Sequence, residues 1–206
     1  MFENTYKMIS APMEAVFKDK GSRFIALAFP VKTEEAAKQQ IAETKKKYHD
    51  ATHHCYAYSI GYIGSPCMRL NDDGEPSGTA ARPIYGQILS HDVKNILVIV
   101  VRYFGGTKLG VSGLINAYKE ATRQVLTAAK IEEHKIKETF TIEFDYSLMN
   151  SVMQVLKNPA VTIKSNDYLN NMCQITFDVE LFKKEEVGEQ LKGIYEGKIK
   201  YVNAIK

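Results

Sequence analysis

One short loop contains three carboxylates and two hydroxyls, which could bind a metal ion or act on a substrate. The candidate catalytic residues of this acidic loop are Asp72, Asp73, Glu75, Ser77 and Thr79. Carboxylates can bind a hard cation or serve as a general base, and a hydroxyl becomes a nucleophile only beside a base. The same residue types also make turns and helix caps. The sequence therefore leaves a hydrolytic and a structural interpretation of the loop open.

A second loop is rich in glycine and carries cations, so it could hold a phosphate or a carboxylate. Glycine lets backbone N–H groups approach a ligand closely, and a helix predicted to begin near Leu114 would add positive partial charge. The motif is neither a Walker A loop nor a dinucleotide fingerprint. The alternative is a tight strand-to-helix turn that needs glycine for steric reasons. The candidate nucleic-acid or anion-binding residues here are Arg102, Tyr103, Phe104, Gly105, Gly106, Lys108, Gly110 and Gly113.

Tyrosine and histidine are concentrated in a strand predicted over residues 51–63. His53 and His54 are adjacent and would point to opposite faces of a strand. No second ligand cluster accompanies them, so we expect no metal site. The aromatic side chains could instead stack unpaired bases near a cation, although an ordinary half-buried strand is the alternative. The candidate nucleic-acid contacts added by this interpretation are Tyr56, Tyr58 and Arg82.

Hydrophobic periodicity predicts the elements that position these loops. The unbroken aliphatic run Ile96–Val101 predicts a central strand that is buried on both faces. Because both loops join elements of the same domain, we expect them to face one cleft. The predicted elements are strands at Arg23–Val31, 51–63 and Val93–Phe104, and helices from Thr33 to about Tyr48, from about Thr79 to Leu89 and from Leu114 to Ala129.

A second domain is predicted after residues 131–137, so that the two domains cover residues 1–133 and 137–206. Residues 1–136 hold 18 Lys and Arg against 14 Asp and Glu, which is 18 − 14 = +4, whereas residues 137–206 hold 9 against 10, which is 9 − 10 = −1. The second domain reads β-α-β-β-α-β, the order of a ferredoxin-like sandwich. Its predicted strands are Lys137–Tyr146, Val161–Ser165, Met172–Leu181 and Gly197–Ile205, its helices are Leu148–Lys157 and Lys183–Tyr195, and a turn is predicted near Leu169–Asn171. We interpret it as a packing or docking module.

Composition limits the class of protein. The net charge of +3 is too small to prove a nucleic-acid partner by itself. The longest purely aliphatic run has six residues, Ile96–Val101, which is too short to span a bilayer. The chain start lacks the pattern of a signal peptide. Three cysteines without paired spacing indicate reduced thiols in a cytoplasmic protein.

Two long motifs of the sequence resemble the YigZ/IMPACT family. They are Leu70–Ala80 and Val101–Gly110, and His53–Tyr58 with Ala117-Tyr118 fits as well. The resemblance covers about residues 17–130 and is specific, because both motifs occur in order at the expected separation. It implies an α+β fold, with an N-terminal domain like ribosomal protein S5 domain 2 and a C-terminal ferredoxin-like domain similar to elongation factor G domain V. It also implies a link to translation, since eukaryotic members regulate translation initiation through a protein partner in amino-acid starvation.

These observations predict a non-enzymatic, translation-associated regulator that binds RNA or the ribosome through the Gly-rich loop. The alternatives are a small, peptidase-like hydrolase that uses the acidic loop, and a regulator that binds only protein. No cofactor and no membrane partner are expected, and the chain is expected to be a monomer or a weak homo-oligomer.

Overall fold

The computed structural model describes residues 4–62, 64–169, 172–194 and 200–202. The chain divides into two compact units. The N-terminal unit runs from Tyr6 to His134, and the C-terminal unit takes the residues from Lys135 onward together with those up to Thr5. The division therefore lies within the interval 131–137, where the charge balance of the sequence changes. Part of the predicted turn near residue 170 and part of the predicted last strand lie outside the described residues.

The first ten elements run from Thr5 to Lys135. Strands and helices alternate irregularly, as expected for an α+β arrangement. The strands are β1 (Thr5–Ile9), β2 (Met13–Asp19), β3 (Ser22–Pro30), β4 (His53–Ile60), β5 (Cys67–Asn71), β6 (Ile96–Tyr103) and β7 (Ile131–Lys135). The helices are α1 (Glu34–Lys47), α2 (Ala81–Ser90) and α3 (Gly110–Ala128).

Strand β6 is the middle of a five-stranded sheet, as the aliphatic run predicts. The order is β2-β3-β6-β4-β5, and every neighbouring pair is antiparallel. Ile96, Val98 and Val100 belong to the core under α2 and α3. Leu97, Ile99 and Val101 belong to the core that contains Ala37 of α1. The sheet is thus covered on both faces, which explains why β6 does not alternate between apolar and polar residues.

Helix α1 follows its sequence signals closely. The Thr33 side chain accepts a hydrogen bond from the Ala36 amide and caps the helix. Ala37 and Thr44 are buried on its inner face. Three lysines close the last turn, where cations suit the negative end of the helix dipole.

Helix α3 begins four residues earlier than the sequence predicts. It starts at Gly110, so that Gly113 lies inside the first turn rather than in a loop. Leu109 and Leu114 are both buried and anchor this turn on the sheet. Their packing outweighs the low helix propensity of the two glycines.

The C-terminal unit has the predicted β-α-β-β-α-β order. Its elements are β8 (Lys137–Asp145), α4 (Met149–Leu156), β9 (Val161–Leu169), β10 (Met172–Glu180), α5 (Lys184–Ile194) and β11 (Lys200–Val202). They form a four-stranded antiparallel sheet in the order β11-β8-β10-β9. Its core includes Ile142, Ile175 and Phe177 with residues of both helices. The molecule is therefore a mixed α+β protein of two units, and the superfamily names implied by the resemblance stay predictions.

Strand β9 is longer than its sequence predicts. The prediction ends at Ser165, but the strand continues to Leu169. The polar residues Asn166 and Asp167 pair with β10, because backbone pairing with a neighbouring strand does not depend on an apolar side chain. No helix among the described residues is long and apolar enough to cross a membrane.

A chain of residues 6–134 should fold on its own and unfold cooperatively in urea, because both of its apolar clusters lie within it. A shorter chain of residues 10–134 provides the control. It lacks Ile9, which is fully buried, and should be less stable by about 1.5–3 kcal/mol or more. Loss of a cooperative transition in the 6–134 chain would contradict this assignment of the unit.

Candidate functional site

A buried ion pair joins the acidic loop to the end of strand β6. The carboxylate of Glu75 lies 2.6 Å from Nη1 of Arg102, and the two side chains are only 4% and 6% exposed. The hydroxyl of Tyr118, on α3, donates a hydrogen bond of 2.8 Å to the same Glu75 oxygen. One carboxylate therefore holds a loop, a strand and a helix together.

The guanidinium of Arg102 is enclosed by other groups of the N-terminal unit. Its Nη2 donates to the Ser22 hydroxyl at 3.4 Å. Its Cζ lies 5.4 Å from the ring centroid of Phe24 and 5.6 Å from that of Phe104. The prediction that Arg102 contacts a phosphate does not fit this placement, because the positive charge is buried and already neutralised by Glu75.

Asp72 caps helix α2 from a distance. Its carboxylate accepts three backbone hydrogen bonds, at 2.8 Å from Gly78 N, 3.1 Å from Ala80 N and 2.8 Å from Ala81 N. The hydroxyls of Ser77 and Thr79, which are residue types that often cap helices, do not cap this one. The Thr79 hydroxyl instead donates to the Pro76 carbonyl at 2.6 Å, and Ser77 is exposed. The cap comes from Asp72 because the loop folds back over the start of the helix.

Asp73 fastens the acidic loop to strand β4 and helix α1. Its carboxylate accepts from the His54 amide at 2.7 Å and from Lys45 Nζ at 2.8 Å. Its carbonyl oxygen lies 2.8 Å from Nδ1 of His53. Burial disfavours the charged carboxylate, but the hydrogen bonds from Lys45 and His54 outweigh it, so the pKa of Asp73 lies below its usual range. Asp73 is therefore a charged structural anchor at neutral pH.

The acidic loop thus uses its carboxylates on the protein itself. The carboxylate of Asp72 accepts hydrogen bonds at the start of α2, and that of Asp73 accepts them from β4 and a lysine. The carboxylate of Glu75 pairs with a buried arginine. Among the described residues, no group of three or more His, Cys, Asp and Glu side chains is arranged to hold a metal ion. A hydrolytic role for this loop receives no support from its geometry, because each candidate base is already committed to hydrogen bonds.

Cys55 and Tyr118 belong to the same buried cluster, and the candidate set from the sequence missed both. The Cys55 thiol lies 3.0 Å from the Asp72 carbonyl oxygen and 3.3 Å from the Tyr118 hydroxyl. Burial raises the pKa of Cys55 to about 12, so the thiol stays protonated and is a poor nucleophile. Burial also raises the pKa of Tyr118. Only their presence in the family motifs could have drawn attention to them.

Tyr56 and Tyr58 are not available for stacking. They are 7% and 1% exposed, since strand β4 is covered on both faces. The hydroxyl of Tyr58 donates to Glu34 at the start of α1. The prediction that Tyr56 and Tyr58 form an exposed stacking surface on this strand is therefore wrong.

The exposed part of the predicted set lies mostly in the Gly-rich loop. Phe104 is 48% exposed, and Gly105, Gly106, Lys108 and Gly110 are exposed as well, as is Arg82 on helix α2. Tyr103 is half-buried, and its hydroxyl donates to Asp50 at 2.7 Å. No side chain caps the first turn of α3, so the exposed loop leads into a helix start whose first backbone N–H groups have no side-chain cap. This arrangement suits an anion better than it suits catalysis.

A close backbone contact fixes the shape of the Gly-rich loop. A Cβ atom added to Gly105 would lie 1.9 Å from the carbonyl carbon of Gly21, in the turn between β2 and β3. The Gly105 amide also donates to the Ser22 hydroxyl at 3.2 Å. This contact therefore holds the Gly-rich loop against the turn between β2 and β3, whereas the Glu75–Arg102 pair joins the acidic loop to the end of β6.

Replacing Glu75 by alanine should lower the free energy of unfolding by about 3–5 kcal/mol, because it leaves the Arg102 charge buried without a partner. Urea denaturation followed by circular dichroism measures the change. Glu35→Ala, on the exposed side of α1, is the control and should cost less than about 1 kcal/mol. The double change Glu75→Ala with Arg102→Met should recover part of the loss. Equal effects of Glu75→Ala and Glu35→Ala would contradict the structural role of the pair.

Gly105→Ala should destabilise the protein by about 1–3 kcal/mol, since the new methyl group meets the backbone of Gly21. Gly86→Ala is a matched control, because Gly86 lies inside α2 with nothing within 4 Å of an added Cβ. That change should stabilise the helix by about 0.5–1 kcal/mol. Thermal unfolding of both variants measures the change in stability. A Gly105→Ala variant as stable as the wild type would show that the backbone contact can relax without cost.

Comparison with known proteins agrees with the motifs at this site. The profile of the Impact N-terminal domain matches residues 20–126. The chain is 35% identical to the IMPACT family member YvyE of Bacillus subtilis (strain 168), over 80% of this chain and 74% of that protein. It is 32% identical to the IMPACT family member YigZ of Escherichia coli (strain K12), over 77% of this chain and 78% of that protein.

One solved structure supports the two-unit fold over the whole chain. A crystal structure described only as that of a hypothetical protein superposes with a TM-score of 0.76 at 28% identity, covering 100% of this chain and 99% of the other. A structure described as the two-domain translational regulator Yih1 is 29% identical over 63% of this chain and 48% of that one, with a TM-score of 0.36. The matching domain, the shared motifs and the identity over most of the chain together show that this protein belongs to the IMPACT family.

Proposed function

We propose that the protein is a non-enzymatic, translation-associated regulator that binds RNA or the ribosome through the outer face of its Gly-rich loop. Membership of the IMPACT family supports the link to translation, which is what the resemblance of the two motifs implies. The observation that carries the binding mode is the exposed loop from Phe104 to Lys108 in front of the uncapped start of α3. The three cysteines are all free thiols, which suits a reducing cytoplasm.

The electrostatics of the site favour a phosphate on its outer face. Arg102 contributes little outward field, because Glu75 neutralises it inside the unit. The outward positive charge comes instead from Lys108, which is exposed, and from the N-terminal end of α3. Converging N–H groups and a lysine point charge are a common way to hold phosphate oxygens.

Phe104 gives the same face a stacking surface. Its side chain is 48% exposed, and the Arg102 guanidinium lies 5.6 Å from its ring centroid. Stacking of an unpaired base on an aromatic ring contributes about 1–3 kcal/mol. A loop that offers one aromatic ring and phosphate contacts within a few residues suits a single strand better than a duplex, whose bases are already stacked.

A protein partner is the second candidate for this surface. Val111 and Ile115, one turn apart on α3, are 60% and 39% exposed. Exposed apolar side chains beside Phe104 are also a feature of protein-binding surfaces. Binding to protein would depend less on salt than binding to RNA, which separates the two candidates.

Lys108→Glu should weaken binding to a short single-stranded oligouridine and reduce the slope of log affinity against log salt by about 1, because one phosphate contact is lost. Lys46→Glu is the matched control, since Lys46 is exposed on α1 across the sheet and the change in net charge is the same. Fluorescence anisotropy over a salt series measures both variants. If Lys108→Glu and Lys46→Glu bind equally well at every salt concentration, the loop is not a site for a polyanion.

A further inference from the structure

The C-terminal unit contains a groove where the end of β10 meets the segment before β9. We call it the Glu180 groove, and its lining includes Pro159, Ala160, Glu180 and Phe182. Its volume is about 360 Å³, and the exposed part of its lining is mostly apolar. Ligand pockets in proteins have volumes of about 300–1,000 Å³, so the groove is large enough to hold a bound group.

Backbone hydrogen bonds fix the shape of this groove. The Glu180 amide donates to the Ala160 carbonyl at 3.0 Å, and the Leu181 amide donates to the Ile136 carbonyl at 2.9 Å. The Asn158 side chain accepts from the Ala160 amide at 3.0 Å and closes the turn before β9. These bonds tie the groove to the sheet, so its shape is formed before any ligand binds, as is usual for binding sites.

One oxygen atom of the Glu180 carboxylate lacks a hydrogen-bond donor. Glu180 is only 7% exposed, and its Oε1 accepts a hydrogen bond of 2.9 Å from Lys135 Nζ. Its Oε2 is buried and has no hydrogen-bond partner among the described residues. Because nearly all buried polar groups of native proteins are hydrogen-bonded, this oxygen indicates a donor that comes from outside the described part of the chain.

The group that fits this groove is a neutral, apolar ring that carries one N–H donor. Lys135 already pairs with Glu180, which is the only acidic side chain among the described residues that line the groove. A lysine or arginine of a partner would therefore bury a second cation without a second carboxylate, which is unfavourable. A small polar donor would leave the apolar lining and the ring of Phe182, which is 55% exposed, uncovered.

We propose that the Glu180 groove docks a tryptophan side chain of a partner protein. The indole N–H donates one hydrogen bond and the ring accepts none, so the free Oε2 of Glu180 satisfies it completely. Phe182 provides an aromatic wall for the ring, and aromatic pairs stabilise a contact beyond simple burial. Tryptophan is among the residues that contribute most to binding at protein interfaces. This chain contains no tryptophan, so a second copy cannot supply it.

This inference does not rest on the proposed function. The Glu180 groove lies in the C-terminal unit, whereas the Gly-rich loop lies in the N-terminal unit. The groove offers a hydrogen-bond acceptor and an apolar lining, and the loop offers a lysine and a helix start. Loss of tryptophan binding would therefore leave the binding of oligouridine unaffected.

The test uses the full chain and two capped Gly-Trp-Gly peptides, one of which is methylated at the indole nitrogen and lacks the N–H. Since the protein has no tryptophan, the change in indole fluorescence reports the bound peptide directly. We expect the methylated peptide to bind about tenfold more weakly, because a hydrogen bond to a carboxylate is lost. This comparison uses the wild-type chain and requires no variant.

Two variants then assign the binding to the groove. Glu180→Met keeps the length of the side chain but removes its oxygen atoms, so the two peptides should bind this variant equally well. Phe182→Ala should weaken the binding of both peptides about tenfold, as expected for a truncated interface aromatic residue, and should keep the preference for the N–H. Tyr146→Ser is the control and should leave binding unchanged, since Tyr146 is 60% exposed and follows the end of β8, whereas Lys135 precedes its start.

Several outcomes would overturn the proposal. The two peptides could bind the wild type equally well or not at all, or the Glu180→Met variant could keep the preference for the unmethylated peptide. Free tryptophan that binds more tightly than the capped peptide would assign the groove to the amino acid instead of a partner protein. Displacement of the peptide by cytidine monophosphate but not by uridine monophosphate would assign it to a nucleobase. Because Phe182→Ala changes only an exposed side chain, it keeps the test valid even if Glu180→Met folds poorly.

Discussion

A carboxylate and a guanidinium buried side by side set the geometry of the acidic loop and the Gly-rich loop in the N-terminal unit. Removing either Glu75 or Arg102 would leave the other buried without its partner, which is strongly destabilising. The pair therefore fixes where the acidic loop must lie relative to the end of β6. Tyr118 adds α3 to the same carboxylate, so the start of the helix is positioned by the same interaction.

This constraint separates the motif residues into two groups with different roles. Asp72, Asp73 and Glu75 satisfy amides and cations within the unit, and they shape the loop instead of acting on a substrate. Phe104 and Lys108 remain on the outside, where a ligand can reach them. A motif rich in acidic residues can thus support a site for an anion, because its own charges are turned inward and neutralised there.

The sequence alone determined the central strand, the capped helix α1, the β-α-β-β-α-β order of the C-terminal unit and the family, because each of these depends on local periodicity, capping or an ordered motif. It could not determine that Tyr56, Tyr58 and Arg102 are buried, or that α3 begins at Gly110. Side-chain burial and helix starts depend on what packs against them from distant parts of the chain. Only the tertiary structure could decide that Arg102 pairs with Glu75, since the two residues stand 27 positions apart and no local pattern signals that pairing.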